Sequence, residues 1–297
     1  VAEDISRPLD EQRGAIVEVN AGPGLLMHLK PASGEPRPVG RAIVDSLFPE
    51  NDSGRIPIVG ITGTRGKTVV ARLVARLLHL DGKHVGLACS DGLYFDRRLV
   101  ESGHCATWAA AHKILLNRSI EAAVIENGSD AILGEGLAYD RCQVGVVTNI
   151  DPARHFGKYY IDTPEQVFNV LRTQVDVVLE GGVAVLNAGD PLIADMAKLC
   201  DGEVIFFGID PEIPAVAEHR AQGGRAVFVR DGSVVLATGM ECVPLAVVAL
   251  IPLTDAGQVE FQVENVLAAV GVAWALGLPP DLIRAGIKTF EVGQAEA

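Results

Sequence analysis

Between Ile56 and Asn187 the chain alternates short apolar runs with stretches whose apolar residues recur every three to four positions. IPIVGIT (56–62), HVGLAC (84–89), IEAAVIE (120–126), QVGVVTNI (143–150) and GGVAVLN (181–187) read as strands, and residues 67–80, 106–117 and 163–179 as helices between them. Strands alternating with helices of this length predict an α/β fold, a doubly wound, mostly parallel sheet covered on both faces. IEAAVIE and QVGVVTNI are nearly all apolar, as strands buried on both faces should be. After about residue 200 the runs shorten to EVIFFGI, RAVFVR, VVLATG and VPLAVVALIP, a small β-rich addition to that sheet. An Ala-rich helix (263–276) and another opened by Pro279 and Pro280 follow. Upstream, GAIVEVN (14–20) alternates like a strand, PRPVGRAIVDSLFP (36–49) has helical spacing at Val39, Ile43, Val44 and Leu47, and ENDSGR (50–55) is a polar linker.

Composition narrows the classes of function. With 297 residues, 48% of them hydrophobic, the chain can bury a large core and has the length of about two domains. The 25 Lys+Arg against 38 Asp+Glu leave a net charge of −13, which argues against a duplex nucleic-acid partner while leaving room for a phosphorylated small molecule held by one cationic loop. No run approaches the ~20 apolar residues of a membrane span, so no membrane partner is expected. The chain begins with Val and shows no secretory signal, so it is expected to be cytoplasmic and a piece of a longer protein. Its five cysteines (Cys89, Cys105, Cys142, Cys200, Cys242) are widely spaced without a CxxC pair and read as buried, reduced thiols.

The segment GITGTRGKT (60–68) lies between a predicted strand and a helix whose Val70, Leu73, Val74, Leu77 and Leu78 form its inner face. This is the setting of a phosphate-binding loop: glycines turn backbone N–H groups towards an anion, the helix N-terminus adds partial positive charge, Lys67 reaches the β/γ-phosphates, and the Thr68 hydroxyl can ligate Mg²⁺. The spacing is GxxGxxGKT rather than the usual formula, because position 61 is Ile. The next strands also end in polar residues, which places them at the carboxyl edge beside the loop. Glu126 is suited to Mg²⁺ or to a water bound to it. Thr148, Asn149 and Asp151 follow the next strand, with His155 four residues beyond Asp151, either a surface residue or a metal ligand. Asn187 and Asp190 either contact a nucleotide base or ribose or cap the helix starting at Pro191.

Together these residues resemble the Mur ligase superfamily of ATP-dependent amide-bond ligases, and within it the Mur-like half of the cyanophycin synthetases. The resemblance is carried by GITGTRGKT, SDGLYFDRRLVESG (90–103), ILGEGLAYDRCQVGVVTNI (132–150), VAVLNAGDPLIADMA (183–197), HRAQGGRAVFVRDG (219–232) and FQVENVLAAVGVAWALGLP (261–279). It implies a central ATP-binding domain over residues 51–290, with Gly63, Thr64, Arg65, Gly66, Lys67 and Thr68 around phosphates and Mg²⁺. It also implies Glu126 and His155 as metal ligands, catalysis by these two and Lys67, and Asn265, otherwise a helix-start residue, against adenine. EVNAGPGLLMHLKP resembles the end of an ATP-grasp domain, so residues 1–50 are expected to be its remnant. There Glu18 and Asn20 would be Mg²⁺ ligands, a pair that alone reads as an ordinary strand end. Residues 291–297 would begin a linker to a C-terminal domain. The implied reaction activates an Asp side-chain carboxylate with ATP as an acyl phosphate and joins it to the amine of Arg. The implied partners are ATP, arginine and the aspartate or cyanophycin polymer, in a homo-oligomer.

Several positions depart from that pattern. NGSDAI (127–132) replaces a Ser/Thr-Ala-Arg-Gly-Gly run, Arg154, His155, Phe156 and Gly157 replace Asp-His-Leu-Gly, Arg65 stands where Asn is usual, and Gly189 replaces the first Asp of Asp-Asp-Pro. A lysine of helix 163–179 is also replaced, with Arg172 the nearest cation. A paralogue whose altered site only binds nucleotide or acts as a scaffold is therefore the alternative. An ordinary P-loop kinase or GTPase leaves EGLAYDRC and HRAQGG unexplained.

Overall fold

A computed structural model describes residues 4, 6–22, 24–49, 52–151 and 159–290. The chain divides into two compact units, Val1–Arg55 and Ile56–Ala297. The first carries a single-turn helix α1 (Leu26–Leu29) and the expected helix α2 (Val39–Leu47). Residues 14–20 are not a strand. Alternation becomes a strand only when a neighbour completes the backbone ladder, and among the described residues none pairs with this segment. Its Ile16, Val17 and Val19 are exposed, as are Ile43, Val44 and Leu47 of α2.

The second unit runs β1 (Ile58–Thr62), α3 (Lys67–Leu80), β2 (Val85–Cys89), β3 (Gly92–Phe95), β4 (Arg98–Ser102), α4 (Trp108–Leu115), β5 (Ala122–Glu126), α5 (Ser129–Gly134) and β6 (Cys142–Val147). It continues with α6 (Pro164–Leu171), α7 (Thr173–Asp176), β7 (Val178–Asn187), α8 (Pro191–Asp195), β8 (Glu203–Gly208), α9 (Pro214–Ala221), β9 (Arg225–Arg230), β10 (Ser233–Thr238), β11 (Glu241–Val247), α10 (Glu260–Ala275) and α11 (Pro280–Lys288). Among the described residues the strands form one sheet in the order β11-β10-β9-β8-β7-β6-β1-β5-β2-β3-β4. The pairs from β2 through β9 are parallel, and both edges are antiparallel.

Side-chain alternation along the strands feeds two cores. Val59, Ile61, Val124, Val144 and Val146 pack on one face with α3, α10 and α11, while Ile58, Ala123, Ile125 and Val147 pack on the other with α4, α6 and α8. The predicted inner face of α3 is buried as read, and wholly buried side chains such as Leu73 and Leu77 each contribute about 2 kcal/mol.

The β-rich addition extends the same sheet rather than standing apart from it. β8 and β9 continue the parallel order, and the chain then reverses at Asp231–Gly232, whose φ angles of 49° and 68° suit a tight hairpin. The hairpin β3–β4 lies within SDGLYFDRRLVESG, where no strand is legible because every residue of β4 is exposed and no apolar face repeats. Residues 163–179 are not one helix. A capping box at Thr163 and Gln166 starts α6, Arg172 separates it from α7, and the apolar Val178 begins β7. Cys89, Cys105 and Cys142 are buried as expected, but Cys200 and Cys242 are half-buried, since Cys242 lies on the edge strand β11 and Cys200 in the connection before β8.

β1 lies between β5 and β6: the chain first winds from β1 to β2 and β5 on one side, then crosses over β1 from β5 to β6 and winds the other way. A doubly wound sheet opens a crevice at the carboxyl ends of its strands at such a point.

Candidate functional site

The loop from Gly63 to Gly66 leaves β1 at this crevice and runs into α3, with Gly66 at its N-cap. Gly63 (φ 137°) and Gly66 (φ 81°) have backbone geometry that disfavours side chains, and each is closely overlaid: a Cβ on Gly63 would collide with Thr148 Oγ1, and one on Gly66 with Asn265 Oδ1. Lys67 Nζ curls back to donate to the Gly63 carbonyl at 3.0 Å, which holds its charge over the loop. Arg65 points its side chain to solvent while its backbone is clamped. Its N–H donates to Asn149 Oδ1 (3.0 Å), and its carbonyl accepts from Thr148 Oγ1 (2.8 Å) and Asn149 Nδ2 (3.0 Å). Thr64 is tied to the same residue: its N–H donates to the Asn149 carbonyl (3.0 Å), its hydroxyl donates to Asn149 Oδ1, and the hydroxyl also accepts from the Asp151 N–H (2.9 Å).

On the β5 side, Glu126 ends its strand only 2% exposed. One carboxylate oxygen accepts from Thr68 Oγ1 (2.9 Å) and the Ser90 N–H (2.8 Å), and the other from Ser90 Oγ (2.9 Å). These hydroxyl and carboxylate oxygens, adjacent at the head of α3, are hard donors of the kind Mg²⁺ takes. Among the described residues no group of three His, Cys, Asp or Glu side chains could hold a metal ion. Beside this pair opens a cleft of about 480 Å³, lined by Lys67, Ser90, His104, Glu126, Asp130 and Tyr159 among others.

On the β6 and β7 side, the predicted Asn187 and Asp190 are spent on the scaffold. Asn187 Nδ2 donates to the Thr148 carbonyl (2.9 Å) and to Glu264 Oε1 (3.3 Å). Asp190 caps α8 through the Leu192 N–H (3.0 Å) and accepts from the Ile150 N–H (3.0 Å) through its other oxygen. The helix-cap alternative is thus the one observed for Asp190. Asn265 is buried in the second turn of α10 against Gly66, and its amide donates to Gln262 Oε1 (2.9 Å). Glu264, half-buried beside it, has its carboxyl raised above the ordinary Glu value by burial, partly offset by the Asn187 hydrogen bond and the Arg65 charge.

The structure therefore brings Gly63, Thr64, Arg65, Gly66, Lys67, Thr68, Glu126, Asn187, Asp190 and Asn265 around one loop. His155 lies outside the described residues, as do Arg154, Phe156, Gly157 and the expected linker 291–297. Glu18 and Asn20 belong to the first unit, where both are exposed and the Asn20 amide donates to Glu18 Oε1 at 3.1 Å. The strand expected at 14–20, which would have turned both side chains to one face, is not present. Sequence reasoning gave no role to Ser90, Asn149 or Glu264. Ser90 follows an apolar strand as Glu126 does, so the rule that found one could have found the other; the Asn149 clamp depends on contacts across 84 residues.

The Mur ligase middle domain family matches residues 61–273. A cyanophycin synthetase from Synechocystis sp. is 41% identical over 290 residues, covering 98% of this chain and 33% of that protein. Another, from Trichormus variabilis, is 40% identical over 296 residues, covering 100% of this chain and 33% of that protein. The chain spans about a third of the length of these curated relatives. A solved UDP-N-acetylmuramoyl-L-alanyl-D-glutamate–2,6-diaminopimelate ligase shares the fold with a TM-score of 0.61 at 19% identity, over 80% of this chain and 46% of that one. The sheet order, the glycine loop at the switch strand and the extent of the family match agree: the chain belongs to the Mur ligase middle domain family.

Proposed function

We propose that the chain is the nucleotide-handling part of an ATP-dependent ligase of the cyanophycin synthetase type. In this reading it activates an Asp side-chain carboxylate and joins it to the amine of arginine. The observation that carries the reading is the convergence of Lys67, Thr68 and Glu126 at the head of α3, where the Thr68 hydroxyl lies 2.9 Å from the Glu126 carboxylate.

A carboxylate is a poor electrophile. Transfer of the γ-phosphoryl group of ATP gives an acyl phosphate and ADP, and attack by the amine then forms the amide and releases phosphate. Catalysis of such a step rests on alignment and on charge stabilisation. Gly63 to Gly66 and the N-terminus of α3 would cradle the phosphates, and Lys67 would stabilise charge on the transferring group. Thr68 and Glu126 would hold Mg²⁺, which when bound neutralises charge across the β- and γ-phosphates. Ser90 keeps Glu126 turned towards Thr68 by two hydrogen bonds. The acceptor carboxylate would enter by the cleft beside Lys67. Asn265 would meet the nucleoside on the opposite flank, on a scaffold that Asn187 ties together. The net charge of −13 suits a basic amino-acid substrate, with anionic ATP relying on Arg65 and Lys67.

The reading of residues 1–50 as the end of an ATP-grasp domain is supported by the similarity to cyanophycin synthetases, which covers 98–100% of the chain, and by the exposed apolar residues of this unit.

In the full-length protein, ADP release is expected to require both arginine and a poly-aspartate primer and to vanish in Lys67→Ala. A second reading, a nucleotide-binding or scaffolding domain, is favoured by the altered NGSDAI segment, which puts the carboxylate Asp130 in the cleft wall. Equal polymer extension by Lys67→Ala and the wild type would establish that reading instead.

A further inference from the structure

Behind the phosphate loop, three buried polar side chains from three separate segments close a ring of hydrogen bonds. Asn127 Nδ2 donates to Tyr139 Oη (2.7 Å) and to Gln174 Oε1 (2.8 Å), and Tyr139 Oη donates to the same Gln174 oxygen (2.9 Å). Gln174 is wholly buried, Asn127 7% exposed and Tyr139 8%. Burial pushes the Tyr139 phenol up, so it stays a donor across the working pH range. The ring lies directly against β1: a Cβ on Gly60 would collide with Tyr139 Oη and with the Gln174 amide.

Asn127 is also stitched to β1 through its backbone. Its N–H donates to the Ile61 carbonyl (2.8 Å), and its carbonyl accepts from Thr62 Oγ1 (2.9 Å). The residue before it is Glu126, whose carboxylate meets Thr68 and Ser90. Two residues of β1 later the phosphate loop begins. Asn127 therefore sits where the β5 carboxylate and the β1 loop are registered against each other, and Tyr139 and Gln174 use both of its amide protons.

We propose that Tyr139 and Gln174 are positioning residues which, through Asn127, hold the Glu126 carboxylate in line with Thr68. The role rests on the ligase reading; the geometry does not. Removing the phenol hydroxyl leaves a buried amide proton of Asn127 without its acceptor and Gln174 without one of its donors. A buried network responds to such a loss by rearranging, because unmade hydrogen bonds in a dry site cost more than made ones contribute. The rearrangement reaches Glu126 through a single peptide link, whereas Thr64 and Arg65 of the loop keep their own anchors on Thr148 and Asn149.

The test uses the full-length protein and Tyr139→Phe. The Ser90 N–H, which donates to Glu126, reports the carboxylate directly: its hydrogen exchange is expected to quicken about tenfold, while amides of β7 and α10 keep wild-type protection. In the ligase assay kcat for ADP release should fall about tenfold with KM for ATP within twofold, the signature of lost alignment rather than lost binding. Unchanged exchange at Ser90 would overturn the proposal whether or not the protein turns over ATP. A wild type without turnover would sink the ligase reading alone, and the exchange measurement would still decide the positioning role. Should Tyr139→Phe not fold, Gln174→Met applies the same test from the other side of the ring.

Discussion

The two flanks of the glycine loop are built on opposite principles. On the β6 and β7 side, Thr148, Asn149, Asn187 and Asp190 are committed to the backbone or side chains of neighbouring segments, and Asn149 contacts both Thr64 and Arg65. On the β5 and β2 side, Glu126 is held by Thr68 and Ser90 in an open cleft whose lining also includes the exposed Asp130. One flank is a mould whose hydrogen bonds are internal, and the other leaves polar groups facing the space a substrate would fill. A loop that must bind a polyanion without reorganising needs the first, and a reaction that must admit a second substrate needs the second.

Substitutions on the two flanks should therefore fail differently. The largest effect is expected from Gly63→Ala, because the new Cβ would meet Thr148 Oγ1 at a φ that disfavours it. The loop should open, ATP affinity measured by calorimetry should fall by about 100-fold or more, and stability should drop by about 2 kcal/mol. Asn149→Ala removes the clamp without a clash, so a stability loss of about 2 kcal/mol in denaturant unfolding should accompany a weaker nucleotide site. Comparable ATP affinity in Asn149→Ala and the wild type would show that the mould is not needed.

Glu264→Gln sharpens the comparison through pH. The folded carboxyl is raised by burial, so its contribution to stability is present below the ordinary Glu value and is lost as pH rises through the folded value. At pH 7 the variant is expected to melt about 2 °C above the wild type, with the gap closing as pH falls below the usual Glu range. The smallest effect belongs to Asp130→Ala on the open flank. Stability should stay within about 0.5 kcal/mol. Loss of like-charge repulsion should lower KM for a poly-aspartate acceptor by about twofold, leaving KM for ATP unchanged.

Much of this architecture is legible from residue pattern. β1, α3, β2, β5 and β8 lie within two residues of the runs that predict them, and β6 within three, since each has a strong apolar period and a clear stop. The hairpin β3–β4 is illegible because an exposed edge needs no apolar face. The alternation at 14–20 misleads because it records a preference that only a neighbouring strand can turn into structure.

The site divides in the same way. Glycine spacing, Lys67, Thr68 and the polar ends of the strands are chemical necessities of a phosphate loop on a parallel sheet, and they are written in consecutive residues. By itself, then, the sequence determines the layer architecture and the place of the glycine loop at the end of β1. Only the tertiary structure decides that Asp190 caps a helix and joins β6 to β7, that Ser90 orients Glu126, and that Asn127, Tyr139 and Gln174 close a ring under Gly60. The reason is physical. Periodicity and local backbone preference act over a few residues, whereas a buried hydrogen bond depends on which distant donor the packed core places within 3 Å of a given acceptor.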